Sequence, residues 1–241
     1  TTSPEFHMKR LMAMGFDRIF QVTRAFRDGE RGDLHNPEFT MVEWYRKDVD
    51  YGAIMADCEG LLAHLGRGLT DDVTPKTGLV PPYPRKTFRA ACREAGLDDP
   101  EALSVDDRLE AFIDRVEPRL GVTGPEFLTE FPADQASLAR LKPDDPRVAE
   151  RFELYAAGLE LANGFSELVD PDEFLARCET DLAHRRRLGL PEYPVDQHYV
   201  TMLREGLPPC AGVALGFDRV IMLLTGATSI GQVMTFPVDK A

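Results

Sequence analysis

Phe26-Arg27-Asp28-Gly29-Glu30-Arg31-Gly32-Asp33-Leu34-His35-Asn36-Pro37-Glu38-Phe39-Thr40-Met41-Val42-Glu43-Trp44-Tyr45 sets apolar positions on both sides of a polar loop rich in Gly, Asp and Asn. That pattern predicts strand, loop, strand. Arg27 stands before the loop, and His35 and Phe39 stand after it. Arg27 offers a planar, permanently charged fork to a phosphate, His35 a donor to a second phosphate, and Phe39 a ring face on which adenine can stack. A bent nucleotide fits such a hairpin; so does the plainer reading, a surface hairpin with charged loop residues.

Near the C-terminus, Gly212-Val213-Ala214-Leu215-Gly216-Phe217-Asp218-Arg219 leads into the apolar run Val220 to Leu224 and then Gly226. This predicts a strand feeding a helix, with Gly212 and Gly216 permitting close approach of backbone to a ligand. Arg219 adds positive charge in the first helical turn, where the helix dipole already favours phosphate. Between the two segments, Arg151 to Phe165 alternates as a hairpin, with Phe152, Leu154 and Ala156 on one face and Glu153 and Tyr155 on the other. If the chain reverses at Ala156-Ala157, Glu153 and Glu160 face each other with Cβ atoms roughly 5 Å apart. A hard divalent cation would relieve that repulsion; a solvated acidic hairpin is the alternative. Strict alternation puts Glu167 on the face opposite to Glu160.

The remaining sequence supports one α+β domain. The 241 residues can bury a large core, and the net charge of −13 argues against a broad nucleic-acid footprint. Arg185-Arg186-Arg187 closes a helix expected from Asp170-Pro171 to about Gly189, where cations suit the helix dipole. Asp50 to Gly66 is amphipathic, with Tyr51, Ile54, Cys58, Leu61, Leu62 and Leu65 on one face. Thr70 to Pro84 has loop composition. Ser104 begins another expected helix, ending at Pro118, with Leu109, Phe112, Ile113 and Val116 inward. The interval of about 67–130 is expected to be a helical insertion, of which residues 85–130 carry no chemical constellation and are expected to pack or shape a partner surface. Four cysteines without zinc spacing, no signal peptide and no long apolar span fit a reducing cytoplasm and no membrane contact.

The Arg27 and Gly212 segments together resemble motifs 2 and 3 of class II aminoacyl-tRNA synthetases, and His35-Asn36-Pro37-Glu38-Phe39-Thr40-Met41 resembles the lysine branch. Glu160-Leu161-Ala162-Asn163-Gly164-Phe165, the opening Thr2-Ser3-Pro4-Glu5-Phe6-His7-Met8-Lys9-Arg10 and Glu43-Trp44-Tyr45 are closer still to the elongation factor P lysine ligases. The resemblance spans nearly the whole chain and is weakest between Leu69 and Thr129. It implies a class II catalytic core, an antiparallel sheet flanked by helices. It implies that ATP and magnesium are used, that lysine or β-lysine is activated as an adenylate, and that a lysine of elongation factor P, not tRNA, is the acceptor. By resemblance, Arg27 and Arg219 are catalytic, and ATP contacts extend to Asp28, Gly29, Glu30, His35, Asn36, Phe39, Glu160, Leu161 and Gly216. The amino acid falls to Ser3, Pro4, Glu5, Glu43, Tyr45, Asn163, Glu167 and Ala214, with Glu167, Glu43 and Tyr45 on the distal ammonium and Glu5 on the other amine. Glu153 and Glu160 match the family's magnesium site, which also implies a bulge near Asn163-Gly164.

Several positions depart from the family pattern. Gly29 stands where the motif 2 glutamate is expected and Glu30 follows it, which a one-residue loop shift accommodates. Ser166 is the residue of conventional lysyl enzymes, where the ligases often carry His. Ser3 and Ala214 stand where those enzymes tend to have Ala and Gly, and favour a β-amino acid. The chain opens at Thr1 inside the region of resemblance, so motif 1, the dimer-forming segment, is expected to be missing, and a homodimer is expected of the complete protein. Two other functions fit the same residues: a catalytic fragment of a lysyl-tRNA synthetase charging tRNA, and a non-catalytic paralogue that binds lysine or an adenylate.

Overall fold

The computed structural model describes residues 1–68 and 78–240. Its centre is a seven-stranded sheet in the order β1-β2-β7-β6-β5-β4-β3, built from β1 (Arg18–Phe26), β2 (Glu38–Lys47), β3 (Arg85–Thr87), β4 (Glu126–Pro132), β5 (Val148–Ala156), β6 (Leu159–Ser166) and β7 (Cys210–Gly216). Every neighbouring pair is antiparallel except β3 with β4. The α+β class expected from the sequence holds, with one parallel strand at the edge. Sheet pairing also joins the three segments quoted above: β2 and β6 flank β7, so the first hairpin, the Gly-rich strand and the acidic hairpin become neighbours.

Alternation divides the sheet into two faces. Phe152, Leu154, Ala156, Ala162, Ala211, Val213 and Leu215 face one side, where α2 (Tyr51–Arg67) and α7 (Phe217–Thr225) cover them. α2 buries Ile54, Met55, Cys58, Leu62 and Ala63, and Asp50 accepts a hydrogen bond from Ala53 N at its start. The expected stop at Gly66 falls two residues short, at the cap Gly68. On the opposite face, α1 (Glu5–Ala13), α5 (Pro171–Arg187) and α6 (Gln197–Gly206) close a second core around Met8, Met12, Tyr45, Phe174 and Tyr199. The three arginines end α5 as expected: Arg186 pairs with Glu192, and Arg185 lies over the Tyr193 ring.

The 67–130 interval is not simply a helical insertion. Its ends supply β3 and β4 to the sheet, and between them α3 (Phe88–Glu94) and α4 (Val105–Arg115) pack Phe88, Cys92, Phe112 and Val116 against Leu128 and Tyr155. Ser104 caps α4, yet Leu109 and Ile113 point outward, 49% and 50% exposed. The inward row contains Arg108, which is buried because Asp134 accepts from its guanidinium. An apolar-only pattern misses a face that buries a paired charge. Residues 70–77 of the expected loop lie outside the described residues.

The acidic hairpin turns at Ala157-Gly158, both with positive φ (52° and 75°), one residue later than expected. Glu153 therefore pairs across the ladder with Asn163, and Glu160 with Tyr155, so the two glutamates are not opposite each other. A register shift between Leu154 and Tyr155 leaves Leu161 as an extra residue on β6. No bulge interrupts Asn163-Gly164, which pair in register with Glu153 and Phe152; the extra residue is Leu161, and it places Glu160 with Asn163 along the same cleft.

Gly164 is required where β6 meets β7. A Cβ there would lie 2.7 Å from the Gly212 carbonyl oxygen and from the Phe152 ring. Gly164→Ala is expected to destabilise the fold by about 2 kcal/mol through overpacking, read as a lowered urea midpoint at unchanged m-value.

Candidate active site

The site grows from the face of the sheet that α2 and α7 leave uncovered. β7 presents Gly212, Ala214 and Gly216 there, so this strand itself puts nothing larger than a methyl group into the trough. Gly212 was expected to admit a ligand; instead the Tyr45 ring takes that space, since a Cβ at 212 would lie 2.3 Å from it. Two clefts run along the trough and share Arg27, Asn163 and Ala214.

The first cleft, about 330 Å³, lies between the β1–β2 loop and the start of α7. Arg27 follows β1, its backbone N–H donating to Pro37 O at 2.8 Å, and its guanidinium stands 5.2 Å over the Phe39 ring. Arg219 reaches across from α7. Its Nη1 donates to Glu160 O at 2.8 Å, and its Nη2 meets His35 Nε2 at 2.9 Å. Burial, then the charge of Arg219, lowers the His35 pKa, so the ring is neutral at pH 7. The nitrogen facing the guanidinium must then accept, which puts the proton on Nδ1 as the donor. Glu30, not Gly29, lines the cleft, with Oε1 3.9 Å from Arg27 Nη1.

Other expected ATP contacts divide. Leu161 and Gly216 line the first cleft, whereas Asp28 and Gly29 are exposed and outside its lining. Asn36 lines it, but its amide donates to Glu38 O at 2.6 Å and accepts from Val238 N at 2.9 Å, which binds the loop to the C-terminal segment. Asp218 was not anticipated. Buried at the head of α7, it accepts from Thr40 N at 2.6 Å, beyond the point where β7 stops pairing with β2 at Met41.

The second cleft, about 220 Å³, is acidic. Glu5 from α1, Glu43 from β2 and Glu167 just past β6 line it together. Ser3 Oγ donates to Glu43 Oε1 at 2.6 Å and Tyr45 OH to Oε2 at 3.1 Å, while Ser3 Oγ accepts from Glu5 N at 3.0 Å. Pro4 is buried outside the lining and gives its carbonyl to Met8 N at 3.0 Å. Asn163, Phe165 and Glu167 alternate along one edge. Ser166 points the other way, where its hydroxyl accepts from Tyr51 N at 3.0 Å and caps α2. Burial pushes the Glu43 carboxyl up to about 7 and the Glu167 carboxyl up to about 8; the bond from Ser3 and the charge of Lys9 respectively work against it. Glu167 Oε1 is buried without a hydrogen-bond donor. Lys9, Arg151 and Phe165 escaped the sequence reading; the helical spacing of Glu5 and Lys9 was the available signal for the first.

Glu153 is largely committed within the protein. Its Oε1 accepts from Arg151 at 2.6 Å and Asn163 at 3.1 Å, and its Oε2 from Tyr155 at 2.7 Å. Glu160 lies on the wall of the first cleft with Oε2 3.6 Å from Arg219 Nη1. Burial and the charge of Glu153 raise its pKa, against the pull of Arg219. Among the described residues no three of His, Cys, Asp or Glu gather as a metal-holding group. The donor set suits a magnesium ion that takes one protein carboxylate and completes its shell with phosphates and water, but not a cation caged by the two glutamates.

The model of class II tRNA synthetases (D, K and N) matches residues 1–240. A Vibrio cholerae serotype O1 protein named elongation factor P–(R)-beta-lysine ligase is 46% identical over 252 residues, covering 100% of this chain and 78% of that protein. Proteins of the same name from Yersinia enterocolitica and Klebsiella pneumoniae are 43% and 44% identical, each covering 100% of this chain and 77% of the relative. The chain belongs to the class II tRNA synthetase family of the D, K and N type, and to the same family as these ligases.

Proposed function

We propose that the protein activates lysine or (R)-β-lysine with ATP as an aminoacyl-adenylate and transfers it to a lysine side chain of elongation factor P. The observation that carries this reading is the junction at Arg27: a cleft of arginines, a neutral histidine and an aromatic ring meets a cleft of three carboxylates. The acidic cleft matches the two ammonium groups of a diamino acid, since a misplaced or missing amine leaves buried carboxylates unpaired. Glu43, Glu167 and Tyr45 take the distal ammonium, and Glu5 the other amine. The amino acid's own carboxylate then falls at Arg27, against the α-phosphate of ATP in the first cleft. Phe39 carries adenine, and Arg219 with the Nδ1–H of His35 stabilises the departing pyrophosphate. Magnesium, when bound, would neutralise phosphate charge, with Glu160 as its protein ligand. Release of AMP follows attack by the acceptor amine on the activated carbonyl.

The names of the relatives support elongation factor P as the acceptor. The net charge of −13 supports a protein acceptor over tRNA, whose binding draws on clustered Lys and Arg. We assign residues 1–241 to one catalytic domain and the complete protein to a cytoplasmic homodimer. Exposed Phe20, Val22 and Phe26 on the edge strand β1 favour association, and among the described residues no helix is long and apolar enough to cross a membrane.

The deciding assay supplies ATP, radiolabelled lysine or (R)-β-lysine, elongation factor P and tRNA together; label is expected on the protein. Label on tRNA alone would instead identify a tRNA-charging enzyme, and ligand binding without pyrophosphate exchange a binding module. Arg27→Ala is expected to slow pyrophosphate exchange by about 3 kcal/mol of barrier, with a smaller loss of ATP affinity. Glu167→Gln should weaken lysine binding by roughly 2 kcal/mol while ATP affinity measured by calorimetry stays unchanged.

The pH dependence follows from the same carboxylates. With Glu43 at about 7 and Glu167 at about 8 in the empty pocket, lower pH leaves them protonated, and a cationic ligand must first displace those protons. The kcat/KM for the amino acid should therefore rise between pH 6 and pH 8.5, without a matching rise in ATP affinity. A flat profile over that window would contradict the assignment of these two residues.

A further inference from the structure

Lys9 is fully buried, on the helix that also carries Glu5. Its Nζ lies 2.5 Å from Glu5 Oε1 and 2.5 Å from Glu167 Oε2, and 5.1 Å from the centre of the Phe165 ring. Tyr199 from α6 donates no charge at neutral pH but closes the group from behind, while Glu43 and Tyr45 of β2 form the next layer. Burial alone would favour a neutral amine; Glu167 and Glu5 outweigh it and keep the ammonium charged. Lys9 does not line either cleft. It contacts two of the acids that do, from the side away from the cleft.

We propose that Lys9 is a positioning residue that sets the charge of the amino-acid pocket: once the three acids are ionised its ammonium cancels one of them, leaving two negative charges for a ligand with two amines. This rests on the diamino acid reading of that pocket. Without Lys9, Glu5, Glu43 and Glu167 would have no cation in contact with them, since Arg151 on the same cleft is paired with Glu153 and Arg27 faces the ligand's carboxylate, and proton uptake would be the cheapest relief. The pocket would then hold its protons to higher pH and accept a diammonium ligand only there. With Lys9 in place, Glu5 and Glu167 are each held by one oxygen, and the unpartnered Oε1 of Glu167 remains for an incoming donor. A ligand with one amine would leave one buried carboxylate uncompensated, so the same ammonium contributes to selection against ordinary amino acids.

The test separates charge from hydrogen bonding. Lys9→Gln keeps a donor, one atom shorter, and removes the charge; Lys9→Arg keeps the charge. Lysine and (R)-β-lysine binding is measured by calorimetry from pH 6 to pH 9.5, with ATP binding as the control for an intact fold. In Lys9→Gln, the pH at which amino-acid affinity is half-maximal is expected to rise by about one unit, equivalent to about tenfold weaker binding at pH 7. ATP affinity should stay within twofold, and kcat at saturating amino acid should fall less than kcat/KM. Lys9→Arg should keep the wild-type midpoint. A Lys9→Gln profile that superimposes on wild type overturns the proposal, as does an equal loss of ATP and amino-acid affinity in both variants. Failure of the wild-type protein to bind either diamine at any pH overturns the diamino acid reading itself, a result distinct from both.

Discussion

Three carboxylates remote in sequence can be buried together only if something holds them apart and in place, and most of the architecture around the site does that. Glu5 arrives on α1, Glu43 on β2 and Glu167 at the end of β6. Ser3 and Tyr45 donate to Glu43, and Lys9 bridges Glu5 and Glu167. Each donor is itself fixed by packing. Tyr45 can lie flat over β7 only because residue 212 has no side chain, and α1 is anchored by Met8 and Met12 against α6. A buried ion pair of this kind is weak evidence for stability, because desolvation offsets much of its attraction. Its persistence here fits a site in which charge and geometry serve binding.

The two clefts differ in what their charges are free to do. In the first, Arg27 after β1 and Arg219 of α7 stand with Glu30 and Glu160; in the second, Glu5, Glu43 and Glu167 outnumber Arg151, and Arg27 lies at the boundary. Arg219 links three elements through Leu34 O, Glu160 O and His35, so the position of the β1–β2 loop depends on α7. Asn36 adds a further tie from that loop to Val238, and Asp218 seals the end of the β2–β7 ladder. Groups that look ligand-directed in sequence therefore split into those with free valence, such as Arg27, and those whose hydrogen bonds are spent inside the protein, such as Asn36 and Glu153. Electrostatic stabilisation of a transition state needs the first kind held rigid by the second.

How much of this was legible in the sequence follows the range of the interaction. Strand, loop and helix assignments for 26–45, 151–165 and 212–224 depend on local alternation and turn chemistry, and they held. Cross-strand partners depend on one residue of turn position. Placing the reversal at Ala156-Ala157, not Ala157-Gly158, moved Glu160 away from Glu153, and only the φ values of the turn distinguish the two. The bulge was expected near Asn163-Gly164 from the family resemblance and sits at Leu161 instead, because alternation carries no mark of where the extra residue sits. Leu109 and Ile113 were misplaced because Arg108 occupies the inward row, and a buried arginine is invisible to hydropathy until its partner Asp134 is known. Lys9 was hidden for the same reason: its i,i+4 spacing from Glu5 reads as an ordinary surface pair, and its second partner, Glu167, lies far along the chain.

The empty pocket also loads the fold with an electrostatic cost. Glu43 and Glu167 titrate at about 7 and about 8 when folded, above the ordinary glutamate value of 4.5 they would show unfolded. For such groups the folded state binds more protons than the unfolded state between those values, so their contribution to stability is full at low pH and is lost as pH rises toward 8. Lys9 acts over a different window: its pKa is raised above 10.5, so its contribution persists through neutral pH and is lost only in strong base. At pH 7 the protein thus holds a cation that is stabilised by its neighbours beside acids that are destabilised by burial. A ligand bringing ammonium groups relieves the second without disturbing the first. The same burial that makes the empty site unfavourable makes the occupied one selective, because water cannot substitute for the missing amine.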